Sequence, residues 1–294
     1  MINVGARLKL IAIWLIVAPI IFATCGFMAA SKAPKTPNQM LQDSSRAFYQ
    51  NDFNTALTNL ETYFSSLGKQ ARTKAQASFR FYAIAAMGRI YLQYKQDPEG
   101  AIRWFEKVAK SQLLTAAEQD IVDGWIAGAR DWIKLGKFPQ DTKDPTTLFE
   151  LGKKFYESGL KRQKYTMDLA GDADFSIASG YLVPFIIHND KDPRTGEALF
   201  MMGDIRHRLW VDNEYWSENY YLAETIRRFP GTPLAMKAYT ALAEDVHFGY
   251  SGSSGDHTPA SWITMLAVFK QMAQNSPVNQ PGHVNSPEVF VEPK

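Results

Sequence analysis

Serine, aspartate and histidine are the residue types of nucleophilic hydrolysis. They crowd into one stretch here, with Ser251, Ser253, Ser254, Asp256 and His257. That chemistry requires its members to converge from separate positions on a rigid frame, with the base oriented by a third group. Neighbours in one glycine-containing loop do not meet this condition, so the stretch reads as a linker leading to a helix cap at Thr258. The histidines His188, His207, His247, His257 and His283 form no i, i+4 pair and no HExxH arrangement, so no metal site is expected. There is no Walker-type or dinucleotide-type glycine pattern. Acids are abundant, but no acid/base pair stands out. Cys25 is the only cysteine, which leaves the body without a disulfide, a zinc cluster or a thiol nucleophile. We therefore assign no catalytic residue, no metal and no cofactor. The dense aromatics Trp210, Tyr215, Trp216, Tyr220 and Tyr221 have two readings: interface anchors, since Trp and Tyr dominate binding hot spots, or packing between irregular helices.

Composition narrows the partners. The chain has 294 residues, 46% hydrophobic and 21% charged, which is ordinary globular usage. Removing Arg7 and Lys9 from the 32 bases leaves 30 against 30 acids, so the body is neutral. No broad basic run is present, and nucleic acid is not expected as a partner. No small-molecule substrate is evident.

Residues 10–30 carry no charge, close to the ~20 residues needed to span a bilayer. Three readings stay open. Residues 1–31 form a retained signal anchor, a lipoprotein signal cut before Cys25 with lipid on its thiol, or a signal cleaved near Ala29-Ala30-Ser31. The anchor exceeds the ~7–15 residue apolar stretch of a cleaved signal, and Phe22-Ala23-Thr24 is a poor lipidation context. Residues 32–39 form a short stalk containing Pro and Lys.

From Met40 onward, helical periodicity runs almost throughout, and no sustained period-two alternation predicts a sheet. Ile84–Ala109 reads as a helical hairpin. One helix carries Gly88 and Tyr91 and stops at Gln96; a second starts at Asp97-Pro98 and carries Ala101 and Phe105. A hairpin of this kind cannot bury its own apolar face and needs stacked neighbours. Asp97-Pro98, Thr232-Pro233 and Thr258-Pro259 each place a capping oxygen before a proline at the first helical position. Pro139–Thr147 is the clearest internal break, so helical halves are expected at 40–138 and 148–275, with linker 139–147 between them. A Pro-rich tail spans 276–294.

Ile84, Met87, Gly88 and Tyr91, followed by Ala101 and Phe105, resemble the tetratricopeptide repeat family. Leu148, Leu151, Gly152 and Phe155 repeat the first-helix pattern. So do Leu199, Met202 and Gly203, although Arg206 replaces the aromatic there. Phe229 to Ala238 is similar to the inter-repeat turn of bacterial envelope repeat proteins, which include outer-membrane-assembly lipoproteins and periplasmic cell-division coordinators. The resemblance implies an all-α, right-handed α-solenoid of helical hairpins behind one N-terminal membrane or signal helix. It also implies a partner-binding concave face formed by first helices, with side chains one, four and five residues after the glycine. Carried over, those are Arg89, Leu92 and Gln93 in one repeat and Asp204, His207 and Arg208 in another, flanked by Tyr82 and Phe200. The expected role is a scaffold or adaptor for a protein partner in a cell-envelope complex, held in the inner membrane with a periplasmic body. The alternatives are a lipidated outer-membrane assembly factor, or an enzyme with a cleft between the halves near residue 140.

Overall fold

A computed structural model describes residues 35–67, 74–165, 168–209 and 215–275, with 74–79 and 215–218 as backbone alone. Among these residues the fold is all-α. The helices are α1 (Pro37–Tyr49), α2 (Phe53–Ser66), α3 (Lys74–Arg89), α4 (Pro98–Ala109), α5 (Ala116–Leu135), α6 (Pro145–Arg162), α7 (Asp172–His188), α8 (Thr195–Arg208), α9 (Tyr215–Arg228), α10 (Pro233–Tyr250) and α11 (Ala260–Gln274). No helix among the described residues is long and apolar enough to cross a membrane. The expected membrane or signal helix over 10–30, with Cys25, lies outside the described residues, as does the tail 276–294.

Local chemistry sets most boundaries. Asp97, Asp144 and Thr232 each accept a hydrogen bond from a backbone N–H of the first turn, and a proline follows each of them. Proline's missing donor costs nothing at that position. Thr115 and Glu118 form a reciprocal capping box at α5. Asn51, Gln96 and Gly136 end their helices with positive φ, as chain reversals require. The Thr258 cap does not form: its hydroxyl bonds to Asp256 at 2.5 Å instead, and α11 begins at Ala260 without a side-chain cap. The loop before it is also more ordered than expected, since Ser251–Gly252 pairs antiparallel with Gly255–Asp256.

Hairpins α1/α2, α6/α7, α8/α9 and α10/α11 pack closely, and α9 also packs on α10. The first helices α6, α8 and α10 touch in turn, as do α9 and α11. The N-terminal part is less regular. α3 continues into a π-helical turn, Ile90–Tyr94, closed by Lys95 N–H donating to the Ile90 carbonyl at 2.8 Å. A Cβ on Gly88 would lie 2.4 Å from the Trp125 ring. Glycine is thus required where α3 crosses α5, rather than where it meets its own hairpin partner α4. About two turns away on the same two helices, Arg80 and Glu118 form a fully buried bidentate pair at 2.7 and 3.2 Å.

Helix α7 joins the two parts. Asp172 to Leu182 is buried on every face, and α7 contacts α3, the π turn, α5, α6 and α8. One apolar core therefore runs from Met40 to Leu209 without a break, and a second runs from Phe200 to Ala273. The expected division at 139–147 does not separate these cores. Pro139 is buried, and Gln140 N–H donates to the Gln96 side chain at 3.2 Å. The change of core falls within α8 instead, because α7 reaches back over the N-terminal helices.

Candidate functional site

The face shared by α6, α8 and α10 carries a series of cross-helix polar contacts. Asp144 caps α6 by accepting from Thr147 N–H at 2.8 Å, and Thr232 caps α10 by accepting from Ala235 N–H at 3.1 Å. These caps fix where both helices begin, and so which residues reach α8. Lys153 Nζ meets Glu197 Oε1 at 2.8 Å, and this hydrogen bond raises the lysine pKa. Tyr156 Oη donates to Asp204 Oδ2 at 2.7 Å. Burial first, then the Asp204 charge, pushes the phenol pKa far upward, so this tyrosine remains a neutral donor. Arg208 Nε donates to the same Asp204 oxygen at 2.7 Å, and its Nη1 donates to Gln163 Oε1 at 2.6 Å. His207 Nδ1 lies 3.0 Å from Asp245 Oδ1.

These contacts surround a notch of about 210 Å³, lined chiefly by Lys153, Tyr156, Glu197, Phe200, Leu234 and Lys237. The Lys237 ammonium stands 4.3 Å from the centre of the Phe200 ring, a cation–π contact. Lys237 is exposed and has no carboxylate partner among the described residues. The arrangement suits recognition, with an apolar recess, an available cation, the Lys153–Glu197 pair in its wall and the exposed Glu157 carboxylate beside it. A larger hollow of about 410 Å³ lies between α4 and α5, but the Arg130–Glu106 pair at 2.8 Å is part of its wall.

Of the residues expected on this face, Asp204, His207 and Arg208 lie on it, and Phe200 floors the notch. The N-terminal set does not form a surface. Leu92 is 0% exposed, Arg89 4% and Gln93 7%, and Tyr82 is half-buried against the core. The cause is α7, which covers the side of α3 and the π turn from which these residues project. Arg89 faces Asp172 there. Burial raises the Asp172 pKa well above the carboxylate range, and Arg89 only partly offsets it. Nearby Asp174 is pushed up to about 6 by burial against the pull of Arg162. Neither acid lines either of the two cavities.

Tyr220 is exposed and meets Tyr221 edge to face at 5.5 Å, while Tyr221 packs against the main core. Trp210 and the side chains of Tyr215 and Trp216 lie outside the described residues. In the serine-rich hairpin, Ser254 Oγ lies 2.8 Å from His257 Nε2, but Asp256 meets a different histidine, His247, at 2.8 Å. All of these groups are exposed. No cluster of three or more potential metal ligands occurs among the described residues.

Lys153, Tyr156 and Lys237 are absent from the sequence-based set. The signal for the first two was present: they sit one and four residues after Gly152, the offsets that selected residues after Gly88 and Gly203. Lys237 follows no such glycine, and only the approach of α10 to α8 reveals it. Comparison of the chain with family models, with curated proteins and with solved structures finds no match.

Proposed function

We propose that this protein is a tetratricopeptide-like adaptor. Residues 10–30 hold it at a membrane of the cell envelope, and the α6–α8–α10 face receives a segment of a protein partner. The observation that carries this reading is the notch between three successive first helices, with Phe200 beneath and Lys237, which has no carboxylate partner among the described residues, at its rim. Such a site fits an extended segment that offers an apolar side chain to the recess and a carboxylate to Lys237, with the carboxylate adding a charge-assisted hydrogen bond. The serial contacts of α6, α8 and α10, and of α9 with α11, support a stacked-hairpin array. The tether would raise the local concentration of the body near membrane partners.

The test is capture of the full chain from its native membrane after lysine crosslinking, with mass spectrometry of the linked peptides. The reading expects one dominant protein linked through Lys153 or Lys237 and not through Lys107 on α4. Capture of the chain alone, or links confined to α4 and α5, would remove it. Intact mass of the same material tests the tether: lipid on Cys25 would favour the outer-membrane lipoprotein alternative.

A further inference from the structure

We infer, on the adaptor role proposed above, that the notch selects a bipolar segment of its partner: one apolar side chain, with a basic residue on the α6 side and an acidic residue on the α10 side. Four charged side chains line the notch, Lys153 and Glu157 from α6, Glu197 from α8 and Lys237 from α10. Two of them are committed to each other, since Lys153 Nζ lies 2.8 Å from Glu197 Oε1. The Tyr156 hydroxyl is committed to Asp204 at 2.7 Å. Glu157 and Lys237 remain. Both are exposed, and neither forms an ion pair among the described residues. They stand on opposite walls, because α6 and α10 each pack on α8 and not closely on one another.

This pattern of charge dictates the occupant. A second acid on the segment would meet Glu157, and a second base would meet Lys237, so a uniformly charged segment is repelled at one wall. A segment with one charge of each sign gains a charge-assisted hydrogen bond at both walls. Between them lie Phe200, Met201 and Leu234, an apolar floor. At about 210 Å³ the notch is smaller than the roughly 300–1,000 Å³ of small-molecule sites, so it suits a single side chain. Neighbouring packed helices have axes about 8–10 Å apart, which puts the axes of α6 and α10 about 16–20 Å apart. An extended chain crosses that distance in about five or six residues.

The experiment is calorimetric titration of the full-length chain in detergent with capped heptapeptides. The first has lysine at one end, leucine at the centre and aspartate at the other end, with glycine and serine between. The second has aspartate at both ends, and the third lysine at both ends. The mixed peptide should bind tightest, by roughly five- to tenfold over either of the others, and should lose binding when its leucine becomes serine. Glu157→Lys should make the acidic peptide the tightest, and Lys237→Glu the basic one. Lys107→Glu on α4 should leave the order unchanged. An acidic peptide that binds the natural chain as tightly as the mixed one would overturn the inference while leaving the adaptor role standing on Lys237. So would an order that Glu157→Lys does not alter. Binding of none of the three at millimolar concentration would also overturn it, and the crosslinked capture described above then decides the adaptor role separately.

Discussion

Two first-helix faces sit at the same offsets from a glycine and come to opposite ends. After Gly88, the residues Arg89, Leu92 and Gln93 are sealed under α7. After Gly203, Asp204, His207 and Arg208 stay partly exposed: Asp204 bonds to α6, His207 to α10, and Arg208 to Asp204 and to Gln163 just past α6. The sequence pattern is shared; the neighbour is not. A residue offset states which side of a helix a side chain leaves from. Whether that side becomes groove or core depends on the next element to arrive.

The sharpest way to break this contrast is to disturb the covered side. Glu118→Ala would remove the bidentate carboxylate that buried Arg80 holds and free the N–H of Thr115, which Glu118 holds at 2.7 Å. A loss of about 3–5 kcal/mol is expected, read as a lower urea midpoint. Leu92→Ala should cost about 2–5 kcal/mol through the cavity it leaves. Partner capture per folded molecule should not change. If capture fell while stability held, Leu92 would belong to a binding surface and the contrast would be wrong.

Acidity offers a smaller probe of the same interface. Asp172 and Asp174 hold their protons more tightly folded than unfolded, so their ionisation opposes folding. The stability they allow is complete below the ordinary carboxylate range. It is lost as pH rises above that range, through about 6 for Asp174, and Asp172 is shifted in the same direction. Relative to Asp172→Asn/Asp174→Asn, the natural chain should lose of order 1–3 kcal/mol between pH 4 and pH 7, measured by urea unfolding at each pH. Equal slopes would place both acids in contact with water.

The open side should respond the other way. Lys237→Ala removes one cation–π contact and should shift stability by no more than about 0.5–1 kcal/mol. Lys237→Glu should nonetheless weaken partner capture by roughly tenfold, for about 1.4 kcal/mol of lost pairing. A Lys237→Glu chain that captures its partner normally would move the site elsewhere.

The helices were legible because their causes are local. Asp97-Pro98 and Thr232-Pro233 are caps whichever neighbours surround them, and the stop at Gly136 needs only that residue's tolerance of positive φ. Thr258-Pro259 carried the same local signal and failed, because Asp256, folded back by a two-residue strand pair, took the hydroxyl first. The candidate site was half legible: Phe200, Asp204, His207 and Arg208 followed from one glycine, and Lys153 and Tyr156 were within reach of the same rule. The sequence by itself determined that the chain is helical, where most helices begin and end, and which side chains share a helix face. Only the tertiary structure decided which face was free. Periodicity records the direction in which a side chain leaves its helix, whereas exposure depends on helices far away in the chain, as α7 is from α3.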